Sequence, residues 1–522
     1  MPVRLTFYDG VGCIGGNKIL LEDGPAALFL DFGTSFSAEA KFFDEFLGPR
    51  NTFGFFDLLA LGILPPLEGL YRPDLEYPGV WDTCVDHPWR RRLDLQGIVL
   101  THAHLDHCGY LSYLRADLPV FASLTTALIL KALQDTGSAA RLQEVSYTAP
   151  RELREGLLRP ADPRRTAYCR RPYRVFGPDE LSEAAARFWD QTFGSRRLAG
   201  PDLTGCGTGT KLGELELRVW PVDHSVPGAV AVGVRTSAGW VVYTGDLRLH
   251  GRRADLTRRF LQEAAELEPA FLICEGTHPE VERPVSEEEV KENSLAVVRE
   301  ARGLVVADFG PRNVERLLSF LEIARATGRR LVLTAKDFYL LEALTAAGEP
   351  GVPDPETEPG ICLYAKPKAV LAGWEKHVLE RFSRLAPDRV LGAREVRAGA
   401  GELILCFSYY DFHAFLDISP GGGTYLYSSS EAFDEEMLLD HERVRNWIRH
   451  FGFELYGTLG REREKSGFHA SGHVHGPGLE EMVETLRPRL LVPVHTQSPD
   501  FFRRFEGVCR VVYPQKGQEI AL

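Results

Sequence analysis

Histidine and aspartate side chains are concentrated in the segment 102–107, which reads His-Ala-His-Leu-Asp-His. Neutral imidazoles together with a carboxylate are ligands typical of zinc, with manganese or iron as alternatives. His102 and His104 are two residues apart, so an extended backbone points both to the same side. Asp106 and His107 would then serve a second ion, and two ions about 3.5–4 Å apart can clamp both reacting oxygens of a displacement. The segment predicts a two-metal hydrolytic site, and a surface cluster without function is the alternative.

Two later segments supply further candidate ligands at predicted strand ends. His224 follows the apolar run Leu215–Val222, and Asp246 ends a Tyr-Thr-Gly-Asp turn after the apolar run Trp240–Val242. Taken alone, His224 is typical of a satisfied core histidine and Asp246 of a turn. Beside the first cluster both are predicted metal ligands, and Asp246 is the candidate to bridge the two ions.

Short apolar strands alternate with helical periods along most of the chain, and these elements would position the candidate ligands. The predicted elements are strands at Val3–Tyr8, Lys18–Leu21, Ala26–Asp31, Gly97–Thr101, Trp240–Tyr243, Phe271–Cys274, Leu304–Ala307 and Leu331–Thr334, and helical turns at Tyr110–Leu114 and Leu124–Leu133. This alternation predicts a layered α/β protein.

Composition limits the class of protein. The 522 residues contain 44% hydrophobic and 25% charged residues, which excludes wholesale disorder. The nine cysteines show no Cys-x-x-Cys spacing and no secretory signal precedes them, so we expect reduced thiols in the cytoplasm. No stretch approaches the roughly 18 apolar residues of a membrane span, so no membrane association is expected.

The net charge of −13 argues against nucleic acid as a partner, because binding phosphates requires lysine and arginine. The segment Arg151–Arg174 departs from this average, with eight arginines and only three acidic residues. Either the segment is an ordinary solvated loop or it is a strip that faces phosphates.

The ligand pattern resembles the metallo-β-lactamase superfamily: a His-x-His-x-Asp-His segment after a strand, a later isolated histidine and a Thr-Gly-Asp turn. Asp31, in Leu-Phe-Leu-Asp-Phe-Gly, is similar to the first motif of that superfamily. The resemblance implies that Asp31 contacts the metal-bound histidines and orients their rings.

The second half of the chain resembles the β-CASP branch of this superfamily, whose members process nucleic acids. Glu275-Gly-Thr is similar to motif A, His473 to motif B and His495 to motif C. Phe309–Arg316 and the serine-rich turn Ser428–Ser430 resemble segments of ribonuclease J. A histidine in motif C accompanies RNA processing in this branch, so RNA is the implied substrate.

The resemblance implies a role for each site residue. One metal would bind His102, His104, His224 and Asp246, and the other would bind Asp106, His107, Asp246 and His495. Asp106, Glu275 and His473 are the implied catalytic groups, with Glu275 orienting His473 and His473 protonating the leaving 3′-oxygen. The implied phosphate pocket on the cap consists of Arg312, Asn313, Ser428, Ser429 and Ser430.

The implied fold is an α/β metallo-β-lactamase αββα sandwich with an inserted β-CASP α/β cap. Residues 1–283 would form the first part of the sandwich, with insertions near 36–81 and 150–200. Residues 284–452 would form the cap, and 453–522 would complete the sandwich.

The implied function is hydrolysis of single-stranded RNA by two Zn²⁺ ions per chain, with Mn²⁺ as the alternative metal. Action as a 5′-3′ exonuclease, as an endonuclease or as both in RNA processing or decay fits, and the resemblance leaves a homodimer open. Two other functions are considered: a small-molecule metallohydrolase, and a catalytically weak RNA-binding scaffold subunit.

Overall fold

The N-terminal half and the last residues of the chain form a sandwich of two large β-sheets. The computed structural model describes residues 2–44, 46–137, 143–177, 179–207, 209–430, 435–460 and 467–522. The first sheet has eight strands, which in spatial order are Thr204–Gly205, Tyr173–Phe176, Val120–Ser123, Gly97–Val99, Ala26–Phe32, Lys18–Asp23, Arg4–Asp9 and Glu519–Ala521.

The second sheet has seven strands and faces the first. In spatial order they are Gly209–Leu212, Leu215–Pro221, Val230–Thr236, Gly239–Tyr243, Phe271–Glu275, Leu490–Val494 and Arg510–Val511. Successive side chains of a strand point to opposite faces of its sheet. Leu28 and Leu30 of the first sheet pack against Val232 of the second, whereas Phe29 points into the outer layer.

A third sheet of seven parallel strands is inserted between two neighbouring strands of the second sheet, Phe271–Glu275 and Leu490–Val494. Its strands in spatial order are Val390–Leu391, Ile361–Tyr364, Arg330–Leu333, Leu403–Leu405, Leu304–Asp308, Gly423–Tyr427 and Phe453–Tyr456. We call this sheet and its helices the cap. The outer strand Phe453–Tyr456 lies beyond Gly452, where the sequence suggested that the cap ends.

Helices cover the outer faces of all three sheets. Those of eight or more residues are Leu124–Thr136, Glu183–Asp190, Ala254–Ala265, Glu287–Glu300, Val314–Ala326, Ala335–Ala347, Gly373–Leu385, Glu435–His450 and Gly476–Leu486. Shorter helices are Phe36–Glu39, Phe56–Ala60, Leu105–Cys108, Ala393–Ala398 and His413–Ile418. The predicted αββα sandwich with an inserted α/β cap is confirmed.

Both segments expected as insertions contribute to the packing of the sandwich. Buried side chains of 36–81, among them Phe55 and Leu64, join the hydrophobic layer on the outer face of the first sheet. In the second segment, Phe188 of helix Glu183–Asp190 packs 5.2 Å from the ring of Tyr339 in the cap. These residues connect the sandwich to the cap through one continuous apolar layer.

No helix among the residues described above is both long and apolar enough to cross a lipid bilayer.

Candidate metal centre

The segment 102–107 follows the strand Gly97–Val99 of the first sheet, from which Leu100 and Thr101 separate it. Asp31 fixes the start of the segment: the Thr101 amide donates to Asp31 Oδ1 over 2.8 Å, and the Thr101 hydroxyl donates to Asp31 Oδ2 over 2.8 Å. The helix Leu105–Cys108 then turns Asp106 and His107 inward. A strand end followed by one helical turn therefore brings two ligand pairs into one pocket.

Asp31 also holds an imidazole directly. His107 Nδ1 lies 2.7 Å from Asp31 Oδ2, which also accepts a 2.9 Å hydrogen bond from the Tyr243 hydroxyl. That hydroxyl in turn accepts from the side-chain amide of Asn17 over 2.8 Å. The contact leaves Nε2 of His107 free to face the pocket, as expected for a carboxylate that orients a metal-binding histidine.

The backbone around the pocket is tightly constrained. A side chain at Gly33 would put its Cβ 1.6 Å from the carbonyl oxygen of Asp106, so the Asp106 loop requires glycine there. Asp31 and His495 adopt left-handed backbone angles, with φ of 58° and 51°. Such angles cost about 1–3 kcal/mol in residues other than glycine and persist where the surroundings impose them, frequently at functional sites.

The first predicted ligand set is assembled in the structure. His104 Nδ1 lies 3.1 Å from Nε2 of both His102 and His224, and His102 Nε2 lies 3.6 Å from Asp246 Oδ2. The four ligand atoms all lie within 4.8 Å of one another. His224 is oriented by its Nδ1, which lies 2.6 Å from the carbonyl oxygen of Gly472.

The second predicted set shares Asp246 with the first. Asp246 Oδ2 lies 3.1 Å from His107 Nε2 and 3.7 Å from His495 Nε2, and the latter lies 3.2 Å from Asp106 Oδ2. These ligand atoms also fall within 4.8 Å of one another. The structure thus brings six predicted ligands, which lie between residues 102 and 495 of the sequence, around a seventh, the shared carboxylate of Asp246.

The donor atoms fit a pair of divalent cations. Both carboxylate oxygens of Asp246 are buried, and their closest polar contact within the described residues is the 3.1 Å approach of His107 Nε2 to Oδ2. A buried carboxylate with so few partners is unfavourable unless a cation compensates its charge. Imidazole nitrogens with two carboxylates form the mixed N/O donor set that transition-metal ions prefer.

The protonation states suit coordination. Burial, reinforced by neighbouring imidazoles, holds the pKa of His102 well below its usual value, and burial lowers the pKa of His224 to about 3. Both rings are neutral at pH 7 and can bind a metal without losing a proton. Burial opposes charging of His107 too, but Asp246 and Asp31 outweigh it and raise its pKa. The raised pKa of His107 shows that negative charge accumulates around its ring. A cation bound there would replace the proton of His107.

A third group of polar side chains lies beside the shared carboxylate. His473 Nδ1 lies 3.0 Å from Glu275 Oε2, and the other oxygen of Glu275 accepts from the Leu247 amide over 2.8 Å. Burial alone would lower the pKa of His473, but Glu275 and Asp246 raise it to about 9. At this pKa His473 carries a proton at neutral pH, and 19% of its side chain is exposed.

Thr277 is a site residue that was not singled out from the sequence. Its hydroxyl donates to Glu275 Oε2 over 2.9 Å and lies 2.9 Å from His495 Nδ1 and 3.1 Å from His473 Nδ1. It thereby links His473 to His495, a predicted ligand of the second ion. The available signal was its place two residues after Glu275 within motif A.

The five residues expected to form a phosphate pocket occupy different environments. Arg312 reaches the metal-binding loop, where its Nη1 donates to the Ala103 carbonyl over 2.9 Å. Asn313 instead caps helix Val314–Ala326 by accepting from the Arg316 amide over 3.1 Å.

The serine-rich turn is divided in the same way. Ser428 is buried, and its hydroxyl contacts Arg316 and the Phe468 carbonyl. Ser429 lines a cavity of the cap, and the Ser430 carbonyl accepts from the Tyr427 hydroxyl over 2.7 Å. Arg312 and Ser429 keep positions from which a ligand could be contacted, whereas Asn313 and Ser428 have structural partners.

The segment 151–174 contains four short strands rather than a solvated loop, and several of its arginines pair with neighbouring groups, which does not favour a phosphate-facing strip. Arg151 pairs with Glu144 over 2.7 Å, and Arg170 pairs with Asp190 over 2.7 Å. Arg171 is fully buried and donates to backbone carbonyls.

The chain is similar to several bacterial ribonucleases J. It is 25% identical to ribonuclease J of Sinorhizobium meliloti over 450 residues, which cover 82% of this chain and 63% of that protein. It is 23% identical to ribonuclease J of Mycolicibacterium smegmatis over 504 residues, covering 94% of this chain and 68% of that protein. The resemblance to ribonuclease J is confirmed. The chain spans only about two thirds of the length of these relatives.

A solved structure shares the fold over the whole chain. A protein of unknown function from Enterococcus faecalis V583 matches with a TM-score of 0.67 and 22% sequence identity, covering 100% of both chains. No family model matches the sequence.

Replacing Asp31 with asparagine tests the support of the metal-binding histidines. The contact of Asp31 with His107 is lost or weakened, so we expect the affinity for Zn²⁺ to fall about 10–100-fold. Competition with a chromophoric chelator measures this affinity. Asp23→Asn, on the same sheet but at the surface, is the matched control and should bind as the wild type. Equal affinities for all three proteins would contradict this role of Asp31.

Proposed function

We propose that this protein is a metal-dependent ribonuclease that hydrolyses phosphodiester bonds of single-stranded RNA. The observation that carries the proposal is the juxtaposition of two ligand sets sharing Asp246 with a histidine, His473, whose Nδ1 lies 3.8 Å from that carboxylate. The similarity of the chain to proteins named ribonuclease J supports RNA as the substrate. The acidic net charge of −13 does not oppose this, because two divalent ions would add about four positive charges where the phosphate binds.

His102, His104, His224 and Asp246 would hold one ion, and Asp106, His107, Asp246 and His495 would hold the other. We propose Zn²⁺ for both positions, with Mn²⁺ as the alternative. When bound, the ions supply an activated water and neutralise charge on the scissile phosphate.

The protein's own groups handle the leaving group. His473 is protonated at neutral pH and donates its Nε2 proton to the leaving 3′-oxygen, while its Nδ1 faces Glu275 over 3.0 Å. Glu275 is fully buried and is held by the Leu247 amide and the Thr277 hydroxyl. This carboxylate fixes the ring orientation and stabilises the imidazolium before the proton is transferred.

The domain division proposed from the sequence is 1–283 and 453–522 for the metal-binding sandwich and 284–452 for the β-CASP cap. The strand Phe453–Tyr456 pairs with the cap sheet, so we move it from the sandwich to the cap. Arg312 and Ser429 on the cap side are the proposed phosphate contacts of the RNA. We propose a location in the reducing cytoplasm, since the nine cysteines are free thiols. The proposed activity includes both exonuclease and endonuclease action. A homodimer remains part of the proposal.

Replacing His473 with alanine tests the proposed reaction. We expect the variant to cleave 5′-monophosphorylated RNA about 10²–10⁴-fold more slowly than the wild type, because the leaving oxygen departs without a proton. Product formation with Zn²⁺ or Mn²⁺ is followed on gels, which also separate mononucleotide products from internal fragments. His450→Ala, which removes an exposed histidine of the cap, should retain full activity. An absence of RNA cleavage by the wild type under either metal would instead favour a small-molecule hydrolase or a scaffold.

A sulfur substitution in the substrate tests the specific role of His473. A thiol is far more acidic than an alcohol, so a 3′-thiolate leaves without protonation. We expect an RNA with one 3′-S-phosphorothiolate linkage to be cleaved by His473→Ala within about tenfold of the wild-type rate, which corresponds to about 1.4 kcal/mol. A defect of equal size on the oxygen and sulfur substrates would contradict the assignment of His473 as the acid.

A further inference from the structure

A buried ionic network lies behind the metal centre and reaches into the cap. Its members are two arginines and three carboxylates: Arg248, Arg316, Asp223, Glu287 and Glu315. We call this set the Arg248–Arg316 network. None of its members is a predicted metal ligand. The network nevertheless includes residues next to His224 and Asp246 and contacts the segment that carries His473.

Arg248 connects the network to the metal-binding loops. Its guanidinium lies 3.1 Å from Asp223, 3.0 Å from Glu287 and 2.7 Å from Glu315, and it is completely buried. Asp223 immediately precedes the ligand His224, and Arg248 itself follows Asp246 by two residues.

Arg316 connects the network to the cap. Its guanidinium makes two contacts with Glu287, of 3.0 Å and 3.2 Å, so Glu287 is shared between both arginines. Nη1 of Arg316 also donates to the Ser428 carbonyl over 2.7 Å and to the Phe468 carbonyl over 3.2 Å. Arg316 is fully buried within helix Val314–Ala326.

The segment that carries His473 is held by these same two arginines. Residues 467–473 form neither helix nor strand, so no regular backbone pairing fixes them. Arg316 binds the carbonyl of Phe468, and Arg248 binds the carbonyl of Ser471 over 3.1 Å. The Ser471 hydroxyl then accepts from the His473 amide over 3.2 Å.

The buried guanidinium groups of this network fix the positions of the carboxylates and carbonyls that they bind. Ionic groups removed from water are costly, and a buried network of this kind is poor evidence for stability by itself. Guanidinium groups, however, bind carboxylates and carbonyls in a planar, directional manner, so they fix the positions of the groups they contact. Glu287 is held in its charged form, since Arg316 and Arg248 outweigh the effect of burial and lower its pKa to about 2.

We infer that Arg248, Glu287 and Arg316 are positioning residues for His473, because they hold both ends of the irregular segment Phe468–Ser471 and join it to the cap. The inference rests on the proposed function only in taking His473 as the proton donor. The network thereby makes the position of the acid over the leaving group depend on the position of the cap helix Val314–Ala326.

The test replaces Arg316, which touches none of the metal ligands. Arg316→Lys retains the positive charge next to Glu287 but cannot reach Glu287 and both carbonyls at once. We expect its kcat on ordinary RNA to fall at least about tenfold, with KM changed less than about twofold and two metal ions retained. On RNA with a 3′-S-phosphorothiolate linkage, which needs no proton donor, the loss should be less than about threefold.

Two further variants complete the design. Glu287→Gln keeps the shape of the shared carboxylate and should show the same substrate-dependent loss. Arg252→Lys is the matched control, since Arg252 also joins the sandwich to the cap, 2.7 Å from Glu322, but contacts neither the His473 segment nor a ligand. It should resemble the wild type on both substrates.

The outcomes separate the two proposals. Wild-type activity of Arg316→Lys and Glu287→Gln, or equal losses on the oxygen and sulfur substrates, would overturn the positioning role. If the wild type cleaves neither RNA, the proposed function fails, and a crystal structure of Arg316→Lys still tests the inference. Displacement of His473 Nδ1 from its 3.0 Å contact with Glu275 would support it, and an unchanged contact would overturn it.

Discussion

The site depends on one buried carboxylate, Asp246, that is shared by both predicted ligand sets. Both of its oxygens are buried, and among the described residues its closest polar contact is His107 Nε2 at 3.1 Å. Imidazole nitrogens of His102, His107, His473 and His495 approach it to between 3.1 and 3.8 Å. An ionised group in this environment requires compensating positive charge. Two divalent ions would provide it, and the surrounding scaffold is arranged to keep the ligands in place for them.

That scaffold combines rigid strands with strained or irregular connections. The ends of strands in both sheets of the sandwich deliver the ligands, and Asp31 and His495 are held in left-handed backbone conformations at those ends. His473 comes instead from a segment without regular structure, whose carbonyls are bound by Arg248 and Arg316. The predicted metal ligands thus belong to the sandwich, whereas His473, the proposed proton donor, is tied to both the sandwich and the cap.

Much of the centre was predictable because its chemistry is local in sequence. The spacing within 102–107 indicates the ligand pairs, and the strand-end positions of His224 and Asp246 indicate two more ligands. His495 required a family resemblance, since no local pattern connects it to Asp106 across 389 residues. The α/β layers also follow from the alternation of strands and helices, although element ends shift by a few residues.

Other features depend on tertiary contacts that composition does not encode. The excess of arginine in 151–174 left a solvated loop and a phosphate-facing strip as alternatives, because acidic partners such as Glu144 come from outside the segment. Asn313 and Ser428 match a motif by type but have helix-capping and arginine-binding contacts.

The most direct test of the central claim is anomalous diffraction at the zinc edge from crystals of the zinc-loaded protein. We predict two peaks about 3.5–4 Å apart, each next to an Asp246 oxygen. A single peak, or two peaks away from Asp246, would contradict the account.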